Sequence, residues 1–198
     1  DMTLQAMVNT YGTALIVAYG VCIKVEGVGW QMAEAIGTSL GTFTGQNVGA
    51  NHLDRVKQGV RYTQMMVLGW SVFVMFLMFF FGKYLTYLFV DPSEQDVVNV
   101  AVTYFRTVFW AYPFLGSIFL YRNTLQGMGY GLVPMLGGVF ELVARTGIVV
   151  LIAGHTSFAG VCMADPTAWI AALIPLIPYY FHVMKKYKNK SQVQAVED

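Results

Sequence analysis

Along this chain, long apolar blocks alternate with short polar breaks. From Tyr62 to Gly82, 21 residues run without a charge (YTQMMVLGWSVFVMFLMFFFG). At a rise of about 1.5 Å per residue, such a helix matches the hydrocarbon core of a bilayer. A soluble helix of that length needs a wet face, and this stretch offers almost none. The same pattern predicts six helical spans, over residues 2–22, 28–48, 62–90, 94–126, 132–153 and 159–183. A polar tail follows, 185–198, expected to fray. Lys24 and Glu26 mark the first break. Asp91-Pro92-Ser93-Glu94 reads as a turn with the N-cap of the next helix, and Gly127-Met128-Gly129-Tyr130-Gly131 as another break. The expected fold is therefore an all-α integral membrane bundle, with the lipid bilayer as its surroundings.

Composition agrees. Hydrophobic residues make up 56% and charged residues 12%, about half the usual soluble share. The net charge of +1 gives no field for nucleic acid. Asp1 opens almost directly into an apolar stretch with no basic leader, which predicts a chain that begins inside a larger protein. Basic residues cluster in two places: Arg55, Lys57 and Arg61, and the tail residues Lys185, Lys186, Lys188 and Lys190. Six spans put both on one face, and the positive-inside rule makes that face cytoplasmic, with both ends of this segment on it.

Candidate chemistry is sparse. There is no Walker loop, no H-E-x-x-H, no C-x-x-C and no nucleophile elbow, so no enzyme is expected. No metal site or cofactor is expected either. Cys22 and Cys162 read as buried small hydrophobes. Ionised groups at membrane depth are costly and need a partner or water. Glu141 and Arg145 stand at i, i+4 and share a helix face. Asp165 precedes Pro166, which would free the carbonyl of Cys162 within the helix. These three are the cation-coupling candidates; they equally suit an internal ion pair that fixes packing. Arg122 reads as an anchor at the cytoplasmic end of its span, and Trp110, Tyr112 and Phe114 can line a greasy cavity. Met65, Met66, Met75 and Met78 read as lipid-facing.

One segment is more specific. Gly37, Gly41 and Gly45 recur every four positions, a small-residue face for close helix contact. They lead into Gly45-Gln46-Asn47-Val48-Gly49-Ala50-Asn51, where Gly49 suits a C-cap and Gln46 and Asn47 can satisfy end carbonyls or a neighbouring helix. With Asp54-Arg55-Val56-Lys57 after it, this resembles the GQN-x-GA motif that closes the eighth helix of the multidrug and toxic compound extrusion (MATE) transporters. Val8-Asn9-Thr10-Tyr11-Gly12 is similar to their seventh helix and Arg122-Asn123-Thr124-Leu125-Gln126-Gly127 to the end of their tenth. Glu141 to Arg145 and Ala164 to Trp169 are similar to the eleventh and twelfth. The pattern resembles bacterial NorM-like or DinF-like members.

The resemblance implies the C-terminal six-helix lobe of a twelve-helix exporter, working with an N-terminal six-helix lobe this chain lacks. It implies export of a small organic substrate in exchange for Na⁺ or H⁺, in the cell membrane. Some members carry acids in the seventh and tenth helices; here the matching parts hold Gln5 and Asn9, and Thr107 to Tyr121 has none. Gln5, Asn9, Tyr112 and Asn123 are the substrate-cavity candidates. Two other functions fit the same bundle. A lipid-linked-oligosaccharide flippase of the superfamily would need a basic cavity, for which only Arg122 and Arg145 are at hand. The other is a non-transporting assembly subunit.

Overall fold

The computed structural model describes residues 13–152, 160 and 162–197. Residues 2–12 of the first expected span lie outside them. Among the described residues there are six α-helices: α1 Thr13–Gly49, α2 Leu53–Thr86, α3 Gln95–Val108, α4 Tyr112–Gly127, α5 Leu132–Ile152 and α6 Ala164–Glu197. A 3₁₀ turn, Phe109–Ala111, joins α3 to α4. α1 packs against α4, α2 and α3, while α5 packs along α6, which meets the rest through α4.

The largest departure from the sequence expectation is α1. The break expected between 22 and 28 is absent, and one helix of 37 residues runs through it. Lys24 and Glu26 lie two positions apart, so they point to different sides; Lys24 is exposed and Glu26 turns inward. Nothing else in 23–28 is a turn residue except Gly27. At roughly 55 Å, α1 is longer than the hydrocarbon core is thick. Its Thr13 end lies opposite its Gly49 end, so the parity counted from a break at 23–27 does not describe this helix.

Two helix ends are closed by the same backbone device. At the end of α1, the amide of His52 donates to the Asn47 carbonyl (2.8 Å) and that of Asn51 to Val48 (3.1 Å). At the end of α4, Tyr130 donates to Leu125 and Gly129 to Gln126, both at 2.9 Å. These are Schellman pairs, which need one residue in the left-handed region. Asn51 (φ 59°) and Gly129 (φ 85°) supply it. The expected cap, Gly49, is instead the last helical residue; asparagine tolerates the left-handed region well enough to take that place. Asn47 uses its side-chain amide on the Phe43 carbonyl of its own helix, 2.8 Å away, and Gln46 is exposed.

The glycine face does what its spacing predicts. A Cβ on Gly41 would stand 3.0 Å from the Asn123 carbonyl oxygen, and one on Gly127 would strike the Gly41 carbonyl. α1 and α4 therefore cross backbone to backbone. Gly127→Ala is expected to cost about 1–3 kcal/mol through overpacking, read as a lower melting temperature of the detergent-solubilised protein, whereas Gly69→Ala, which meets nothing within 4 Å, leaves it unchanged.

α2 is built inside out relative to a soluble helix. Its buried positions are Val56, Val60, Val67, Ser71, Val74 and Met78, while Met65, Met66, Phe76, Phe80 and Phe81 are exposed. An outward face of methionine and phenylalanine is a cost in water and none in hydrocarbon. Met78 is thus a correction: it packs inward. α2 also starts earlier than expected, at Leu53, so Arg55, Lys57 and Arg61 ride on its first turns. By length and composition, α2 and the Ala164–Tyr187 part of α6 can cross a membrane.

Proline placement explains two further differences. The single span expected over 94–126 is broken before Pro113, which has no amide to donate and whose ring crowds the preceding turn. Asp165 and Pro166 lie in the first turn of α6, not mid-helix, so Pro166 opens no ladder there. Residues 185–197 continue α6 instead of fraying, having no Gly or Pro to stop it. Outside the helices, the amide of Ser93 donates to the Asp91 carboxylate (2.9 Å) and holds that carboxyl below its usual range. Glu94 precedes α3 but makes no side-chain cap.

A candidate coupling cavity

The described helices line a partly open cavity of about 290 Å³ whose lining includes Glu26, Arg122, Glu141, Arg145 and Asp165, with aromatic walls from Tyr19, Trp30, Tyr104, Phe119 and Trp169. Five acidic or basic side chains from four helices converge on one space. Desolvated charges in such surroundings persist only when paired or hydrogen-bonded.

Their connections form a chain. On α5, Arg145 Nη2 lies 3.0 Å from Glu141 Oε1, as the i, i+4 spacing predicts. Arg145 Nε lies 3.1 Å from Asp165 Oδ1, which ties α5 to the start of α6. Arg122 Nη2 from α4 stands 3.9 Å from Glu141 Oε2. Asp165 Oδ2 faces the Tyr104 hydroxyl at 3.3 Å, and the same hydroxyl lies 3.1 Å from Glu26 Oε2. The hydroxyl of Tyr112 donates to Glu26 Oε1 at 2.7 Å. The path therefore runs from Arg122 through Glu141, Arg145, Asp165 and Tyr104 to Glu26.

Local structure explains each position. The tightened turn before Pro113 carries Tyr112 round towards α1, and its carbonyl is met by the Ser71 hydroxyl at 3.4 Å. Placement in the first turn of α6 puts the Asp165 carboxylate at a helix N-terminus, which favours negative charge. Tyr104 is 1% exposed and stacks edge-on against Tyr19 at 6.0 Å, so its hydroxyl has little freedom to leave the site.

Of the residues singled out from the sequence, Glu141, Arg145 and Asp165 come together as one ion-paired group. Tyr112 reaches the group from behind the wall through Glu26. Asn123 does not line the cavity; its amide donates to the Phe119 carbonyl (2.8 Å) at the glycine crossing with α1. Gln5 and Asn9 lie outside the described residues. Arg122 is no terminal anchor but a cavity residue. Glu26 and Tyr104 were missed. The signal for Glu26 was a segment, Val21 to Trp30, free of Pro, Asn, Asp and Ser, which is better read as helix than as loop.

The MatE family model matches residues 1–151. The probable multidrug resistance protein YoeA of Bacillus subtilis is 25% identical over 199 residues, covering 98% of this chain and 42% of its own length. Among solved structures, a MATE protein in complex with MaL6 superposes with a TM-score of 0.86 at 16% identity, over 95% of this chain and 43% of that one. A MOP superfamily transporter from Pyrococcus furiosus, described as having a binding pocket of reverse polarity, gives 0.85 at 16% identity, over 94% and 42%. This chain thus spans less than half the length of the proteins it matches, as one lobe of their fold does. With its helices, its GQN segment and its glycine crossing in place, the chain belongs to the MatE family.

Proposed function

We propose that this chain is the C-terminal lobe of a cation-coupled exporter of drugs or other small organic cations, paired with an N-terminal six-helix lobe. The observation that carries this reading is the cavity: three carboxylates and two guanidinium groups inside a bundle whose outward faces are apolar. The acids outnumber the bases by one, so an ion of single positive charge neutralises the group. Aromatic walls suit the apolar body of an organic cation. A flippase for an anionic lipid-linked sugar calls for the opposite balance.

The basic clusters support a cytoplasmic assignment for one end. The Tyr187 hydroxyl donates to the Met128 carbonyl (3.4 Å), so the later part of α6 and the 127–131 turn share that end. The crossing of Gly45 with Gly127 brings the α1–α2 turn to it as well. Arg55, Lys57, Arg61, Lys185 and Lys186 therefore gather on one side, as the positive-inside rule asks. The test is efflux of a fluorescent organic cation from proteoliposomes holding the full-length parent, with Na⁺ and pH gradients imposed separately. Efflux driven by one of them is expected. Efflux unmoved by either gradient contradicts coupling.

A further inference from the structure

The hydroxyl of Tyr104 faces two carboxylates, Glu26 Oε2 at 3.1 Å and Asp165 Oδ2 at 3.3 Å. A phenol carries one hydrogen to donate. With both carboxyls ionised, that hydrogen serves one of them and the other confronts an oxygen lone pair. Both contacts become hydrogen bonds only when one carboxyl holds a proton and donates it to the phenol oxygen.

We infer that Tyr104 is a positioning residue that makes Glu26 and Asp165 share a single exchangeable proton. This deepens the cation-coupled reading of the same cavity and rests on it. Asp165 already has a guanidinium on Oδ1, whereas the groups holding Glu26 are the Tyr104 and Tyr112 phenols. The proton therefore resides on Glu26. When it is bound, Glu26 O–H donates to Tyr104 and Tyr104 donates to Asp165, locking α1, α3 and α6 together. When it leaves to water, the Tyr104 hydrogen turns to Glu26, and Asp165 keeps only Arg145. Occupancy on α1 is thereby read at the start of α6.

The surroundings favour a proton over a metal ion. A hard cation collects several oxygens at once. Here Oε1 of Glu26 and Oδ1 of Asp165 are engaged, and the Arg145 charge stands beside Asp165. Among the described residues no group of three or more His, Cys, Asp or Glu is arranged to hold a metal. The other titratable groups near Glu26 are Tyr19 and Cys22 on α1, Cys162 just before α6, and the Glu141–Arg145–Arg122 set from α5 and α4. The buried positions of α2 contribute none.

The experiment is infrared difference spectroscopy of the full-length parent in detergent across a pH series, following the C=O band of a protonated carboxyl, without any transported compound. The band is expected in the parent protein and absent in Glu26→Gln. Tyr104→Phe is expected to move its midpoint by about tenfold or more in proton concentration, one pH unit being 1.36 kcal/mol of differential interaction. Na⁺ replacing K⁺ at constant ionic strength is expected to leave it in place. Should Tyr104→Phe fail to purify as a folded species, Asp165→Asn serves, because removing the second carboxylate must also move the midpoint. An unmoved midpoint in the folded variants, or a band that Na⁺ displaces, overturns the inference. Failure of gradient-driven efflux with the band intact strikes the transporter reading instead.

Discussion

Arg145→Ala is expected to destabilise the lobe by about 3–5 kcal/mol, the usual result of removing one partner from a buried ion pair. Arg145 is 13% exposed and bridges Glu141 at 3.0 Å on its own helix and Asp165 at 3.1 Å on the next. Without it, Glu141 on α5 and Asp165 on α6 lose their shared guanidinium, and Glu141 retains the 3.9 Å contact with Arg122. Arg145→Lys is expected to recover only part of the loss, since an ammonium cannot serve both carboxylates from the fixed fork of a guanidinium. Neutralising the whole ion-paired set, in Arg145→Met and Arg122→Met with Glu141→Gln and Asp165→Asn, restores much of it, because none of these four groups is left as a charge without its partner. The measurement is thermal unfolding of the purified parent. The Lys57–Asp54 pair is the internal control: at 3.4 Å and 45% and 92% exposed, its removal costs about 0–1 kcal/mol. Equal effects at the two sites would show that Arg145 is not the tie between α5 and α6.

Glu26→Gln is expected to lower gradient-driven efflux by about tenfold or more, 1.4 kcal/mol per decade, with little change in melting temperature. The amide oxygen still accepts the Tyr112 hydroxyl at the 2.7 Å contact, and the amide nitrogen, in place of the second carboxylate oxygen, donates to the Tyr104 oxygen at the 3.1 Å contact, as a protonated Glu26 would. Packing is preserved and only the capacity to change charge is lost. Binding of the organic cation with no gradient is expected to persist, so counterflow separates this variant from a misfolded one. Full gradient-driven efflux in Glu26→Gln would remove Glu26 from coupling. These two variants divide the cluster into a structural tie and a titrating end.

How far the sequence revealed this depends on whether a residue's role is local. The glycine face and the places of the turns after α1 and α4 were legible because they rest on spacing and backbone sterics within a few residues, although the left-handed residue that closes α1 is Asn51 and not Gly49. Glu141 with Arg145 was legible because i, i+4 geometry places them together whatever the tertiary fold. Their partner Asp165 was recognised as expensive, but its pairing lies across helices and carries no local mark. Glu26 was hidden by the rule that finds membrane spans. A charge pair beside two glycines looks like a loop, and only the neighbouring tyrosines on α3 and α4 show that one of those charges turns inward. Arg122 failed for a related reason: its place near the end of an apolar run suggested an anchor, while its contact with Glu141 is set by how α4 meets α5. Hydropathy counts charge without knowing which way it points.

α1 passes unbroken through residues 23–27 and brings Glu26 to the Tyr104 hydroxyl that also faces Asp165. The direct test is a Glu26→Cys, Asp165→Cys double variant of the full-length parent in membranes, with Cys22 and Cys162 replaced by alanine, treated with a short bifunctional thiol reagent. Both carboxylates lie within 3.3 Å of the same Tyr104 oxygen, so efficient intramolecular cross-linking is the predicted result. No cross-link, together with rapid labelling of position 26 by a membrane-impermeant reagent, would place Glu26 in an outside loop and contradict the account.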